Sequence, residues 1–342
     1  MIYASAARII IDDVFLAVPD FLGRPDVELY LKVEGLNVAG SIKLKTALSM
    51  VESAEREGRL KPGSRLIESS SGNLGIAMAV VCASKGFSLT VVTDVRTTSA
   101  AMAMLRSLGA RLVVIRTEDA NLGFLQSRID YIRRALEQDP ELVWLNQYAN
   151  RSNPNAHRQH TAQSVHKELG QVDVLAVGAG TTGTLMGCVE YFRERSPRTR
   201  IIAVDVEGSV TFGGPPGPRH VPGLGTSRRP EIMRDDGSYE KCIVSEYESI
   251  AVCRELALRY GVLVGGSTGS VLTALRRIAG TLPRQARVVA ISPDLGDRYL
   301  DTIYDDQWIA ARYPTLAGAW PEGRRSPEAA QKPRPHQRGV TG

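Results

Sequence analysis

The stretch "VLAVGAGTTGTLMG", residues 174–187, joins an apolar run to a helix-like segment through a glycine-rich turn. Gly178, Gly180 and Gly183 spell G-x-G-x-x-G, and Asp205 ends the next apolar run. This spacing is typical of a dinucleotide turn, in which an acid contacts a ribose. Exposed N–H groups and the helix dipole predict an anion site here. The pattern alone leaves open whether the anion is a pyrophosphate or a single phosphate.

Apolar runs rich in Val, Ile and Leu alternate with amphipathic segments on both sides of this turn. The alternation predicts an α/β fold with two open parallel sheets and helices on both faces of each sheet. Strands are predicted at 27–34, 65–70, 89–94, 111–116, 173–177, 200–205, 262–264 and 287–291. Helices are predicted at 41–58, 72–86, 99–109, 155–169, 182–195, 248–260 and 268–279.

The composition of the 342 residues is that of a globular protein, with 43% hydrophobic and 23% charged residues. Much of the net charge of +5 lies in a Pro- and Gly-rich tail that we expect to be disordered, so nucleic-acid binding is not indicated. No apolar run approaches the ~20 residues of a membrane span. The four cysteines form no C-x-x-C pair. We therefore expect a cytoplasmic protein with free thiols.

Two further glycine-rich turns accompany the first, "ESSSGNLG" (68–75) and "VGGSTGS" (264–270). The threonines of "GAGTTGT" favour a single phosphate, because hydroxyls and N–H groups can surround one phosphate on several sides. "GGSTG" also matches the hydrolase pattern G-x-S-x-G, but His336 is the only later histidine and lies in the tail. His157 and His160 lack further ligands nearby, so no metal site is predicted.

Lys43 lies in "GSIKLKTA", just inside the start of a predicted helix with Ser41 as its cap. The helix dipole favours the neutral amine at this position, and a neutral amine can form a Schiff base and later move a proton. A solvated surface lysine is the alternative that the local sequence leaves open.

The four motifs, in the order "GSIK", "SSGN", "GTTGT" and "GGSTG", resemble the fold-type II pyridoxal phosphate enzymes of the cysteine synthase group. The resemblance runs from about residue 20 to 310 and implies the tryptophan synthase β-like fold with pyridoxal 5'-phosphate as cofactor. It implies a large phosphate-binding domain at 1–36 and 151–312, a smaller domain at 37–150 that carries the lysine, and the tail at 313–342.

Carried over by resemblance, Lys43 is the Schiff-base lysine, Asn73 binds the cofactor's phenolic oxygen and Ser267 faces its pyridine nitrogen. The residues implied to hold the phosphate are Gly180, Thr181, Thr182, Gly183 and Thr184. The residues implied to contact substrate are Ser70, Ser71, Gly72, Gln147, Gly223 and Arg228. Arg228 and Arg229 lie in the Gly- and Pro-rich region 207–247, and Arg suits phosphate or carboxylate recognition.

Within this group the chain most resembles the N-(2-amino-2-carboxyethyl)-L-glutamate synthases. The residues that carry this likeness include "ESSSGNLGIA", "WLNQYAN", "AVDVEGSVTFG", "PGLGTSRRPEI" and "GDRYLDTIY". The likeness implies β-replacement of phosphate in O-phospho-L-serine by L-glutamate through an aminoacrylate, which supplies 2,3-diaminopropionate for a siderophore or peptide antibiotic. It also implies a homodimer that binds small amino-acid substrates and neither nucleic acid nor membrane.

The neighbourhood of the lysine departs from the family pattern. Val38 replaces the usual Pro before Lys43, and Leu44-Lys45 replaces the usual Asp-Arg or Cys-Arg after it. Two other activities stay open at this stage, as does a catalytically silent regulatory or scaffold protein of this fold with a defective site. A cysteine synthase uses the same cofactor with sulfide as the nucleophile. An NAD-dependent oxidoreductase accounts for the glycine-rich turn but leaves Lys43 and "SSSGN" unexplained.

Overall fold

The computed structural model describes residues 2–314 and contains two separate β-sheets. The first is six-stranded with the order β1-β2-β10-β7-β8-β9. All its pairings are parallel except that of the short edge strand β1 with β2. Its strands are β1 (Phe15–Ala17), β2 (Glu28–Val33), β7 (Val174–Gly178), β8 (Arg200–Val206), β9 (Glu240–Val244) and β10 (Arg287–Ser292).

The second sheet has four parallel strands in the order β5-β4-β3-β6. Its strands are β3 (Arg65–Ser69), β4 (Ser88–Asp94), β5 (Arg111–Ile115) and β6 (Leu142–Trp144). Parallel strands need crossover connections, which are supplied here by helices that cover both faces. The predicted α/β class with two helix-covered sheets is confirmed, with one antiparallel edge strand added.

Helices pack on both faces of each sheet. Apolar residues of α8 and α9 form one core with the six-stranded sheet, and those of α7 form another on the opposite face. On the four-stranded sheet, α2 and α4 belong to separate cores. The helices are α1 (Lys43–Arg56), α2 (Asn73–Lys85), α3 (Ser99–Ser107), α4 (Leu125–Gln138), α5 (Ser152–Ala156), α6 (Gln163–Leu169), α7 (Gly183–Arg195), α8 (Glu246–Tyr260), α9 (Gly266–Ile278) and α10 (Asp306–Arg312).

Three local predictions need correction. Residues 262–264 form no strand, and Val264 makes only an isolated bridge with Leu295. The predicted helix 155–169 is interrupted by a π-helical turn, His157–Ala162, between α5 and α6. Ser41 is not the N-cap, since Ile42 takes that position and Ser41 only accepts a hydrogen bond from the Lys43 amide at 3.4 Å.

Two lysines and two carboxylates form a buried ionic cluster where β2 meets α1. Lys32 Nζ is 3.0 Å from Glu34 Oε1, and Lys45 Nζ is 2.7 Å from Glu34 Oε2. Asp12 contacts both ammonium groups. Burial alone would raise the pKa of Asp12, but the charges of Lys45 and Lys32 outweigh it and lower that pKa. The unusual Lys45 is therefore part of the interior of the fold.

Among residues 2–314 no helix is both long enough and apolar enough to cross a membrane. In the same part of the chain, no three His, Cys, Asp or Glu side chains gather into a group that could hold a metal ion. Residues 315–342 of the tail lie outside the described residues. The domain bounds inferred from the resemblance remain a prediction.

Candidate active site

A cavity of about 580 Å³ lies at the carboxyl ends of the strands of both sheets. Ligands of open parallel sheets bind at this edge, because the loops that follow the strands meet the N-termini of the next helices there. The structure brings ten of the predicted residues to its wall. They are Lys43, Ser70, Ser71, Gly72, Asn73, Gln147, Gly180, Thr181, Gly223 and Ser267.

Lys43 is the first residue of α1, and its amine reaches the turn after β7. Lys43 Nζ lies 3.4 Å from Thr181 Oγ1. Burial lowers the pKa of Lys43 to about 8, and the charge of Asp294 opposes that shift. A substantial fraction of this amine is therefore neutral and nucleophilic near physiological pH. The solvated-surface alternative for Lys43 does not hold.

Asn73, the first residue of α2, is held by two charged groups from the segment after β10. Its Nδ2 donates to Asp294 Oδ2 at 2.7 Å, and its Oδ1 accepts from Arg298 Nη1 at 2.9 Å. Tyr299 also donates to Asp294 Oδ2. Burial raises the pKa of Asp294, and these hydrogen bonds only partly oppose that shift. The sequence predictions missed Asp294, although "SPD" directly follows a strand that ends at the site edge.

The turn "GAGTTGT" has the features of an anion cradle at the start of α7. Thr182 has a φ of 64°, in the left-handed region, and its buried hydroxyl has no hydrogen-bond partner. A Cβ on Gly183 would come within 2.0 Å of Asn153 Oδ1, so only glycine fits there. Of the predicted phosphate residues, Gly180 and Thr181 line the cavity, whereas Thr182, Gly183 and Thr184 do not, and Thr184 Oγ1 lies 3.3 Å from His157 Nε2.

Asn153 connects the cradle to the substrate side of the cavity, although no sequence pattern identified it. Its Nδ2 donates to Thr181 Oγ1 at 3.2 Å and to the Gln147 carbonyl at 2.9 Å. Its Oδ1 accepts from Thr46 Oγ1 of α1 at 3.3 Å. Asn153 is fully buried. It therefore fixes the cradle, the Gln147 backbone and α1 relative to one another.

The loop after β3 presents hydroxyl and N–H groups at the cavity. Ser70 Oγ accepts from the amides of Gly72 at 3.2 Å and Gly75 at 2.8 Å, which shapes the loop. Ser71 is exposed and remains available to a ligand. Gln147 Nε2 donates to the Ser69 carbonyl at 3.1 Å. The arrangement suits a carboxylate, because hydroxyl, amide and backbone N–H groups of this loop and Gln147 line the same cavity.

Ser267 lies in the first turn of α9, opposite the segment that contains Gly223. A Cβ added to Gly223 would lie 3.3 Å from the Ser267 Cβ. Ser267 is only 3% exposed and faces the cavity. A neutral hydroxyl is thus the polar side chain that this wall offers.

Arginines dominate the charge of the cavity wall. The five that line it, against the acids Asp94 and Asp294, are Arg96, Arg128, Arg219, Arg298 and Arg312. Arg128 is buried with Nη1 3.3 Å from Asp94 Oδ2, and its Nε and Nη1 have no hydrogen-bond partner. Spare donors on a buried guanidinium suit a phosphate or carboxylate.

Arg228 and Arg229 are not among the residues that line the cavity. The Arg228 guanidinium pairs with Glu231, three residues further along the chain. The substrate contact predicted for Arg228 therefore has no geometric support. Arg128 and Arg219 occupy the wall instead, and neither lies in a motif that marks it in the sequence.

Residues 119–123 and Ser227 form a clasp that joins the four-stranded side of the cavity to the long segment after β8. Ser227 Oγ donates to Asp119 Oδ2 at 2.7 Å, and Asn121 Nδ2 donates to the Ser227 carbonyl at 2.7 Å. Gly123 and Ser227 both line the cavity. Burial raises the pKa of Asp119, but its hydrogen bonds, led by that from Ser227, lower it below the usual value.

Asp205, the acid that the dinucleotide interpretation needs, is fully buried and does not line the cavity. Its Oδ1 accepts from the Val206 amide at 2.8 Å, and burial raises its pKa to about 6. A ribose hydroxyl has no access to this carboxylate. The NAD interpretation therefore loses the acid that it requires, in addition to the glycine-rich turn, for a ribose contact.

A family model described as "Pyridoxal-phosphate dependent enzyme" matches residues 15–294, which include both sheets and most of the residues that line the cavity. The chain belongs to this family. Membership confirms the resemblance derived from the motifs and identifies the protein as a pyridoxal phosphate-dependent enzyme.

Two curated members of the family carry the name N-(2-amino-2-carboxyethyl)-L-glutamate synthase. The protein from Ralstonia nicotianae is 40% identical over 292 residues, 85% of this chain and 86% of its own length. The protein from Cupriavidus metallidurans is 38% identical over 316 residues, 88% of this chain and 93% of its own length.

Solved structures of other pyridoxal phosphate enzymes share the fold. O-ureido-L-serine synthase has a TM-score of 0.81 and 28% identity, covering 91% of this chain and 100% of its own. The O-acetylserine dependent cystathionine β-synthase from Helicobacter pylori has a TM-score of 0.82 and 28% identity, covering 89% of this chain and 100% of its own.

The residues of the cavity fit the family's cofactor. The unpartnered Thr182 hydroxyl and the free amides at the start of α7 suit its phosphate. The Lys43 amine lies beside this turn, as attachment of the aldehyde requires. Asn73 and Ser267 supply the neutral polar groups that we predict to face the ring oxygen and ring nitrogen.

Proposed function

We propose that this enzyme replaces the phosphate of O-phospho-L-serine with the amine of L-glutamate, giving N-(2-amino-2-carboxyethyl)-L-glutamate and inorganic phosphate. The observation that carries the proposal is the shared name of two relatives that match most of this chain at 40% and 38% identity. The surplus of arginines on the cavity wall supports it, because both substrates bring an anionic group beyond the α-carboxylate.

Pyridoxal phosphate, when bound, supplies an aldehyde that captures amines and a ring that withdraws electrons from the substrate Cα. Lys43 Nζ takes the Cα proton, which its lowered pKa allows near neutral pH. The Cβ–O bond then breaks and its electron pair leaves with phosphate. The glutamate nitrogen forms a bond to Cβ and releases one proton, and Lys43 returns a proton to Cα.

We assign the phosphate of the donor to Arg128 and its α-carboxylate to the Ser70–Gly72 loop with Gln147. Arg128 is buried, and neither its Nε nor its Nη1, which lies 3.3 Å from Asp94 Oδ2, makes a hydrogen bond, so a dianion would satisfy them. The uncharged acetyl group of bound O-acetylserine would leave these donors unpaired, which favours phosphoserine over acetylserine.

Mass spectrometry of products tests the proposal. Phosphoserine plus glutamate should give N-(2-amino-2-carboxyethyl)-L-glutamate, also when sulfide and O-acetylserine compete. Cysteine as the main product of every pairing would assign the chain to the runner-up, cysteine synthase. Arg128→Gln should impair phosphoserine use more than acetylserine use, and Arg128→Lys, which keeps the charge beside Asp94, separates this effect from misfolding.

We also propose that the enzyme acts in the cytoplasm. Its four cysteines are unpaired, and burial raises the pKa values of Cys82, Cys188 and Cys253 to about 12. Stable free thiols are typical of a reducing compartment. The homodimer implied by the resemblance stays a prediction, which light scattering of the purified protein tests.

A further inference from the structure

We propose that Arg219 binds the side-chain carboxylate of the acceptor amino acid and thereby selects an acidic acceptor. This inference rests on the proposed function and names a specificity residue for it. Arg219 lies in the long segment between β8 and β9, and it lines the cavity. Its guanidinium forms no ion pair with any acid among residues 2–314, and its buried Nε has no hydrogen-bond partner.

The carboxylates whose charges reach Arg219 all bind other groups. Asp119 is held in the clasp by Ser227 and by backbone amides. Asp205 accepts from the Val206 amide through Oδ1, and its unpartnered Oδ2 forms no ion pair with Arg219 among the described residues. Glu246 accepts from two amides of the chain directly after Arg219. A partly buried guanidinium that forms an ion pair with none of these carboxylates suits an anionic ligand, because an unpaired charge away from water is costly.

The fold holds Arg219 in place from both sides. The amides of His220 and Val221 donate to the Glu246 carboxylate at 2.8–3.0 Å, which anchors the following backbone to the start of α8. On the other side, a Cβ on Gly225 would come within 2.3 Å of Arg219 Nη1. Gly225, with φ +72°, thus leaves room for the guanidinium. A prearranged donor loses less entropy on binding.

The position of Arg219 assigns it to the acceptor rather than to the donor. The groups proposed for the donor, the Ser70–Gly72 loop and Arg128, belong to the four-stranded side of the cavity. Arg219 belongs to the segment between β8 and β9, which continues from the six-stranded sheet. The charge of Arg96 at the cavity mouth adds positive potential near Arg219. An amine that approaches Cβ from this side carries its carboxylates along that wall.

The test compares Arg219→Gln and Arg219→Lys with the matched control Arg234→Gln. Arg234 lies in the same segment, is 57% exposed and pairs with Glu190 at the surface. Arg219→Gln should raise the KM for glutamate about tenfold or more, the usual effect of losing a charge-assisted hydrogen bond. The KM for phosphoserine, and single-turnover phosphate release from phosphoserine alone, should change less than about twofold. The KM for glutamate of Arg219→Lys should lie between those of the wild type and Arg219→Gln. The KM values of Arg234→Gln should match those of the wild type.

Acceptor choice gives a second measurement. The wild-type preference for glutamate over glutamine in kcat/KM should collapse in Arg219→Gln, because the two acceptors differ only in the side-chain charge. A raised KM for phosphoserine with an unchanged KM for glutamate would assign Arg219 to the leaving group and overturn the inference. Unchanged KM values for glutamate and phosphoserine in Arg219→Gln would also overturn the inference. Failure of the proposed function is seen separately, as wild-type enzyme that forms no glutamate adduct.

Discussion

Lys43 and Lys45 are two residues apart on the first turn of α1, yet their environments differ completely. Lys45 is held by carboxylates of the buried ionic cluster, whereas Lys43 has only the charge of Asp294 against the effect of burial. The sequence could identify Lys43 through its motif but could not distinguish the two environments. The acids that bind Lys45, Asp12 and Glu34, precede it by 33 and 11 residues.

The capture of pyridoxal phosphate by cofactor-free enzyme should follow the ionisation of Lys43. The neutral amine reacts, so the capture rate should rise with pH and reach half its maximum near pH 8, the pKa to which burial lowers Lys43. Asp294→Asn removes the charge that raises this pKa, so the midpoint should move to lower pH. Stopped-flow absorbance from about pH 6 to about pH 10 measures both midpoints.

Asp297→Asn is the control for this titration, since Asp297 is an exposed acid three residues from Asp294. The titration midpoint of Asp297→Asn should equal that of the wild type. A wild-type midpoint above about pH 10, the usual range of lysine, would contradict the assignment. An upward shift in Asp294→Asn would do the same.

At the scale of elements, the predictable parts are the strand-turn-helix units with continuous apolar strands. The turns after β3 and β7 carry motifs whose residues are local in sequence, so the cavity edge could be predicted. The strands β1 and β6 have only three residues each and no fully buried residue, so their short apolar runs, 14–18 and 142–145, are weak strand signals. Asn153, Asp294, Arg128 and Arg219 reach the site through long-range packing, which a single sequence does not encode as a local pattern.

The buried ionic cluster should dominate the stability of the contact between β2 and α1. Glu34→Gln leaves two enclosed ammonium groups with only Asp12 as counter-ion, so the free energy of unfolding should fall by about 3–5 kcal/mol. Urea unfolding followed by circular dichroism measures the loss. Glu141→Gln, which removes a surface pair of an 87% exposed side chain, should leave the midpoint nearly unchanged. Equal midpoints for the two variants would contradict this role.

At the scale of the whole molecule, the two sheets face one cavity, and the clasp of residues 119–123 with Ser227 connects their loops across it. A cavity wall assembled from both sides explains why the residues of the site are spread from Lys43 to Ser267. Its geometry therefore depends on contacts between the two sides as much as on the motifs themselves.

Ser227→Ala should loosen the clasp without unfolding either sheet. Loss of the hydroxyl contact to Asp119 should speed amide exchange in residues 119–126 and 223–228 by roughly tenfold, the effect of one lost hydrogen bond on local opening. Hydrogen–deuterium exchange with mass spectrometry measures it. Ser238→Ala, in an exposed turn of the same segment, should leave these amides unchanged. Faster exchange throughout both sheets would instead indicate global destabilisation.

Because Lys45 is enclosed in the folded protein, chemical modification of its side chain indicates when the modification took place. Before folding, the amines of Lys43 and Lys45 are equally open to sugars, cyanate and other electrophiles. After folding, Lys45 is a 1% exposed ammonium among carboxylates, which shields it from such reagents. Glycation or carbamylation found on Lys45 thus dates the damage to the nascent or unfolded chain. Peptide mapping of aged enzyme could in this way separate modifications acquired before folding from those acquired by the folded enzyme.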